Sequence, residues 1–177
     1  MSEIRKGHFD ARDRLYGMEL EGKTLGVVGL GRIGRLVARK AAGGLDMKVV
    51  GHDPYLPERD LPECVRGMEL DDLLATSDVV TLHLPLTAEP RNLLGEERIS
   101  AMKDGAYLVN SARGGTVDER ALEEALRLGK LSGAALDVFA DEPTGRDHPL
   151  WDFKNVVVWR PSPKNPSSGW PPTPPRA

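Results

Sequence analysis

Short apolar runs alternate with amphipathic stretches along most of this chain. Thr24 to Leu30 (TLGVVGL) is apolar and ends in glycines, and Arg32 to Ala42 follows with Ile33, Leu36, Val37 and Ala41 at helical spacing. Lys48 to His52 (KVVGH), Val79 to Leu84 within SDVVTLHL, Ala106 to Asn110 (AYLVN), Gly133 to Val138 (GAALDV) and Asn155 to Val158 (NVVV) are further strand candidates. Between AYLVN and GAALDV lies TVDERALEEALRLG, in which Thr116 and Glu119 have capping-box spacing and Gly129 is suited to stop a helix. Strands that are apolar throughout, rather than alternating, are buried on both sides. Separated by amphipathic helices, they predict an α/β domain with a doubly wound parallel sheet and helices on both faces.

Composition narrows the class without naming a function. The 177 residues carry 24 Lys and Arg against 27 Asp and Glu, a net charge of −3. That balance gives no reason to expect a nucleic-acid or anionic-membrane partner. The single cysteine, Cys64, cannot form an internal disulfide. No run approaches the roughly 18 apolar residues of a membrane-crossing helix, and the opening MSEIRKGHFD lacks the apolar core of a signal peptide. A soluble, cytoplasmic domain is the expectation. From Trp159 to Ala177 the character changes: these 19 residues (WRPSPKNPSSGWPPTPPRA) hold seven of the chain's 14 prolines and no acid. Proline at that density removes backbone donors and fixes φ, so residues 159–177 read as a disordered or frame-shifted tail behind a folded unit of residues 1–158.

The chemistry begins at Gly29-Leu30-Gly31-Arg32-Ile33-Gly34, a G-x-G-x-x-G that follows a strand and opens a helix. The first glycine turns the chain, the second lets backbone approach a pyrophosphate, and the third lets helix pack on strand. A helix N-terminus offers unpaired N–H groups and a positive dipole end to phosphate oxygens. Asp53 closes the second strand 19 residues beyond Gly34 and is placed to accept from a ribose diol. Strand, loop, helix and acid in this order predict a Rossmann-type dinucleotide-binding domain with NAD as cofactor. A plainer reading of Asp53 alone is a turn-forming residue before Pro54.

Beyond that loop, the stretches GKTLGVVGLGRIG, MKVVGHDP, SDVVTLHLPLT, MKDGAYLVNSARGGTVDERAL and GAALDVFADEP followed by HPLW resemble the cofactor domain of the D-isomer-specific 2-hydroxyacid dehydrogenases. They span about residues 18 to 158 and are nearest in look to the phosphoglycerate dehydrogenase and hydroxypyruvate and glyoxylate reductase branches. One departure is GGLDMKVV, a residue longer than usual, with Asp46 where the family tends to have glycine. The resemblance implies hydride transfer between NAD(H) and a small 2-hydroxy or 2-oxo acid. It implies that Arg113 of N-x-A-R-G-G holds the substrate carboxylate and oxo group, a task suited to a bidentate guanidinium. It places Asp137 near the nicotinamide carboxamide and makes Glu142 the acid that orients a catalytic histidine and raises its pKa. Ser111, Ala112, Leu84 and Pro85 become cofactor contacts. Read without the family, Arg113 and Glu142 are solvated loop charges and Asp137 caps the turn after its strand.

The catalytic histidine itself is absent. The family carries it after the NVVV strand in T-P-H, whereas here Trp159-Arg160-Pro161-Ser162 follows, and the four histidines are His8, His52, His83 and His148. His83 ends a strand and is read as structural; His148 belongs to the packing motif HPLW. No metal site is expected. A family member also has a substrate domain, so the expectation is a fragment whose tail is read in a shifted frame, a genuine extension being the rival. Two functions follow: the cofactor part of an oxidoreductase, or a non-catalytic module that binds or senses NAD(H). Homodimerisation is implied by resemblance alone.

Overall fold

The six apolar runs and a seventh, short segment hydrogen-bond side by side in the computed structural model, which describes residues 17–84, 92–142, 144–145 and 147–158. The strands are β1 (Thr24–Val28), β2 (Lys48–His52), β3 (Val65–Gly67), β4 (Val79–Leu82), β5 (Ala106–Asn110), β6 (Leu131–Leu136) and β7 (Val156–Val158). All neighbours are parallel and the order is β3-β2-β1-β4-β5-β6-β7. The helices are α1 (Arg32–Gly44), α2 (Leu70–Thr76), α3 (Glu96–Ala101) and α4 (Glu119–Arg127). This is the doubly wound sheet that the apolar pattern predicts. β1 sends the chain to β2 on one side and has β4 on the other, so the topological switch point lies at the carboxyl ends of β1 and β4.

The two faces bury different clusters. Val28, Val80, Leu82, Leu108, Ala134 and Leu136 point towards α2, α3 and α4 and pack on Leu73, Leu74, Ile99 and Leu122. Leu25, Val27 and Val49 point the other way and pack on Ala38 and Ala41 of α1. Close approach on the first face depends on Gly26, where a Cβ would lie 2.4 Å from Ser77 Oγ and 2.5 Å from Leu73 Cδ2. A side chain there would lift α2 off the sheet.

Several boundaries and faces differ from the sequence reading, each for a physical reason. The inward face of α1 is Gly34, Ala38 and Ala41, while Ile33 and Leu36 are 66% and 53% exposed. Small residues bring the helix close to β1, and the larger side chains on the flank stay outside. The strand read as Gly133 to Val138 runs Leu131–Leu136, so Val138 lies in the loop beyond it. Asp118 caps α4, not Thr116: its Oδ1 accepts from Arg120 and Ala121 N–H, and Glu119 is the first helical residue. Thr116 is instead buried, with its carbonyl accepting from Leu94 N–H. Gly129 stops α4 as expected, at φ +71°. Asp46, where glycine is the family's habit, sits at φ +49°, a left-handed conformation that glycine adopts freely and aspartate more readily than most residues. β3, α2 and α3 are too short for periodicity to reveal. Pro85 and the tail from Trp159 lie outside the described residues.

Candidate functional site

The glycine loop is shaped by contacts that exclude side chains. Gly29 has φ +92°, and a Cβ on it would stand 2.5 Å from the His83 carbonyl oxygen. A Cβ on Gly34 would stand 2.0 Å from the Gly29 carbonyl oxygen, so the first and third glycines close on each other. Gly31 is different: a Cβ there would meet nothing within 4 Å. It is the residue at the head of α1, it makes no side-chain cap, and the first turn of the helix holds no acid. The helix therefore presents its positive end, uncapped by any side chain, to an open space bounded by Gly31, Arg32 and Ile33, all exposed.

Asp53 joins this loop from β2. Its Oδ2 accepts from Leu30 N–H at 2.9 Å, and its Oδ1 accepts from Tyr55 N–H at 3.1 Å. The second bond fills the turn-forming role; the first sets the same carboxylate beside the glycine turn. The cradle fits a dinucleotide: an open backbone, a positive dipole end and one carboxylate alongside.

Across the switch point the second half of the site is held by side chains. Asn110, buried at the end of β5, donates through Nδ2 to the Arg113 carbonyl at 3.1 Å and accepts through Oδ1 from Ala112 N–H at 3.1 Å. That pair of bonds folds Ser111, Ala112 and Arg113 into a turn. Arg113 is exposed, its Nη1 donates to the Ala112 carbonyl at 2.7 Å, and no ion pair holds it among the described residues. Gly114 follows against backbone, since a Cβ on it would lie 1.7 Å from the Phe139 carbonyl oxygen. The Arg113 turn and the loop after β6 are therefore in direct main-chain contact. Asp137 is half-buried in that loop, its N–H donating to the Asn110 carbonyl at 3.0 Å. Glu142 is exposed and accepts through Oε1 from Phe139 N–H at 3.2 Å. Leu84 is half-buried against the larger core cluster.

The three described histidines are each engaged. His52 Nδ1 lies 3.1 Å from the Met68 carbonyl, His83 Nε2 3.1 Å from Thr81 Oγ1, and His148 Nε2 3.0 Å from Glu119 Oε2. Burial of His83 holds its pKa below the ordinary 6.5. The spacing of Glu119 to Thr116 suggests a helix cap; the structure instead pairs its carboxylate with Ala140 N–H and His148 Nε2. Among the described residues no cluster of His, Cys, Asp and Glu could hold a metal ion, and no helix is long and apolar enough to cross a membrane.

Comparison with known proteins agrees with this geometry. Residues 1–160 match the family described as D-isomer specific 2-hydroxyacid dehydrogenase, NAD binding domain, and the chain belongs to that family. It is 47% identical over 160 residues to a D-3-phosphoglycerate dehydrogenase of Methanocaldococcus jannaschii, an alignment covering 88% of this chain and 30% of that protein. It is 46% identical to a glyoxylate reductase of Thermofilum pendens over 88% of this chain and 47% of the relative. Among solved structures, a D-lactate dehydrogenase of Aquifex aeolicus complexed with NAD and lactic acid superposes with a TM-score of 0.78. The identity is 40%, over 89% of this chain and 51% of that one. The chain thus spans between 30% and 51% of the length of these relatives.

Proposed function

We propose that the chain binds NAD(H) as the cofactor part of an oxidoreductase acting on 2-hydroxy or 2-oxo acids. The observation that carries this is the head of α1, uncapped and open at Gly31, with the Asp53 carboxylate bonded to Leu30 of the same turn. In this reading Gly29, Gly31 and Gly34, with the main chain of Arg32 and Ile33, hold the pyrophosphate, and Asp53 holds the adenosine ribose. Leu84, Pro85, Ser111, Ala112 and Asp137 contact the rest of the cofactor. Bound NAD(H) supplies hydride exchange. Arg113 offers its guanidinium to the acid's carboxylate, and Glu142 stands by to orient a histidine contributed from outside the described residues.

Proton transfer is where this chain falls short of a full reaction. A hydride delivered to a 2-oxo acid leaves an alkoxide that needs a proton, and no histidine follows the NVVV strand in this sequence. General acid–base groups typically contribute about 10² to 10⁴ in rate. That observation favours a second reading for the isolated chain: cofactor binding without turnover. A cytoplasmic location, a fragment of a longer protein, and self-association are parts of the same proposal.

Titration of the purified chain with NADH and NADPH by fluorescence tests the cofactor reading. NADH is expected to bind more tightly, because Asp53 would repel a 2′-phosphate; equal affinity, or tighter NADPH, refutes it. No oxidation of NADH is expected with hydroxypyruvate, glyoxylate or phosphohydroxypyruvate. Robust turnover abolished by Arg113→Ala would show that the chain contains a proton donor of its own. Light scattering behind size exclusion reads the assembly state.

A further inference from the structure

Glu119 opens α4, yet its carboxylate is not spent on the helix. Asp118 already caps the helix, and Glu119 turns back towards the loop after β6. Its Oε1 accepts from Ala140 N–H at 2.7 Å, and its Oε2 lies 3.0 Å from His148 Nε2. Both side chains are mostly shielded, 21% exposed for Glu119 and 16% for His148. His148 is fixed on its other side, because Nδ1 accepts from Leu150 N–H at 3.3 Å. For the neutral ring, that bond puts the proton on Nε2, where it donates to Glu119. The ring also packs against Phe139 and Trp151, at centroid distances of 5.4 and 4.8 Å, and Leu150 beside it is buried in the core.

One carboxylate therefore ties three places together: the head of α4, the loop bearing Asp137 and Glu142, and the short 3₁₀ turn of Pro149–Asp152. The loop it holds is the one whose Phe139 carbonyl touches Gly114 beside Arg113, and whose Phe139 N–H donates to Glu142. We infer that Glu119, fixed by His148, is a positioning residue that seats the Glu142 loop against the Arg113 turn. The inference rests on reading Arg113 and Glu142 as site residues. Glu119 is not a catalytic residue: its bonds among the described residues are to the Ala140 main chain and to His148. Its effect is mechanical: without it, the loop keeps its weaker contact with the Gly114 turn but loses its anchor to α4.

Amide exchange and side-chain nitrogen spectra of the whole chain test this, with Glu119→Ala, Glu119→Gln and His148→Gln compared. In Glu119→Ala, exchange at Phe139, Ala140 and Ala112 is expected to rise about tenfold or more, as for a locally opened unit. Leu122 and Leu126 in α4 and Val27 in β1 should keep their protection. The His148 ring should lose its single Nε2–H signature. Glu119→Gln keeps one accepting oxygen for Ala140 N–H but sets its NH2 against the His148 Nε2–H, so it should restore only part of the protection at Ala140. His148→Gln should fall between the two. A change confined to Ala140, or no recovery in Glu119→Gln, would overturn the inference, as would equal acceleration at Val27 and Phe139. NADH titration of the same samples keeps the two claims apart. Absence of NADH binding in the parent chain refutes the cofactor reading, whereas the exchange pattern alone decides whether Glu119 holds the loop.

Discussion

The two halves of the site are built by different means. At the head of α1 the shape comes mostly from backbone and from glycines close in sequence: Gly34 meets Gly29, five residues away, while Asp53 and the His83 carbonyl reach in from elsewhere. At the ends of β5 and β6 the shape comes from contacts, several through side chains, between residues far apart in the chain. Gly114 meets Phe139 and Glu119 meets both Ala140 and His148, with Asn110 bracing the turn between. A cradle of backbone amides can be specified by a short motif. A surface built from two loops that follow different strands needs tertiary contacts. The first half can be read from six residues; the second exists only once the sheet has formed.

Alanine at the glycines gives the largest test of this contrast. Gly34→Ala and Gly114→Ala each drive a Cβ within 2.0 Å of a carbonyl oxygen, and backbone cannot yield cheaply. Each is expected to cost about 3 kcal/mol or more in denaturant unfolding. Gly31→Ala meets open space, so its cost should stay below about 1 kcal/mol while NADH affinity falls, because the methyl group occupies the phosphate approach. If Gly31→Ala destabilised the fold as much as Gly34→Ala, the open cradle would be misdescribed.

Asn110→Ala is expected to be the next largest effect, and it belongs wholly to the second half. The change removes two bonds at a buried site and leaves Ala112 N–H and the Arg113 carbonyl unpaired. About 2 kcal/mol of stability should be lost. NADH affinity should change less than for a change in the glycine loop. An equal loss of NADH affinity would mean that the two halves are not separable.

The division between halves also explains what was legible. The strands were readable because both their faces are apolar, and the glycine loop because steric demand allows one residue type. Arg113 and Glu142 were placed only through resemblance to a family, since an exposed loop charge has no local signature. Glu119 was misread: a glutamate three residues after a threonine suggests a capping box, and nothing local reveals that Asp118 takes the cap and that His148, 29 residues on, takes the carboxylate. The inward face of α1 misled for the opposite reason. Hydrophobic periodicity weights large residues, whereas contact with β1 needs small ones, so Ile33 and Leu36 counted towards a face that Gly34, Ala38 and Ala41 occupy.

Asp53→Ala gives a smaller effect and probes the side-chain bond that reaches the first half from the end of β2. Loss of the Leu30 bond and of a ribose acceptor should weaken NADH by about tenfold, near 1.4 kcal/mol, within the range for hydrogen bonds to charged groups. NADPH should change less or improve, so the gap between the cofactors narrows. Arg59, six residues on and exposed, is the cation able to blunt that preference. An unchanged gap would mean that cofactor choice is set elsewhere.

The smallest expected effect is a pH dependence at the seam between the halves. His83 stands just past β4, with its carbonyl against Gly29 and its ring beside Thr81. Burial lowers its pKa below 6.5, so the folded state holds the ring neutral where the unfolded chain would protonate it. The unfolded state then binds more protons, and stability rises with pH through that interval. The contribution is fully present above about 6.5 and is lost as pH falls below it towards the folded value. Asp78 acts at lower pH. Its carboxylate accepts from Thr24 N–H at 2.8 Å and from Lys103 Nζ at 2.6 Å, and these bonds outweigh the opposing cost of burial and hold its pKa below 3.8. Its stabilisation is present above about 3.8 and fades as pH falls through the lower folded value. Unfolding free energies measured across this range should therefore fall in two steps on acidification. His83→Asn should flatten the upper step and leave the lower one, and Lys103→Met should shrink the lower step only. If His83→Asn left the upper step intact, another group would be titrating there, and the seam at Gly29 would be indifferent to the charge beside it.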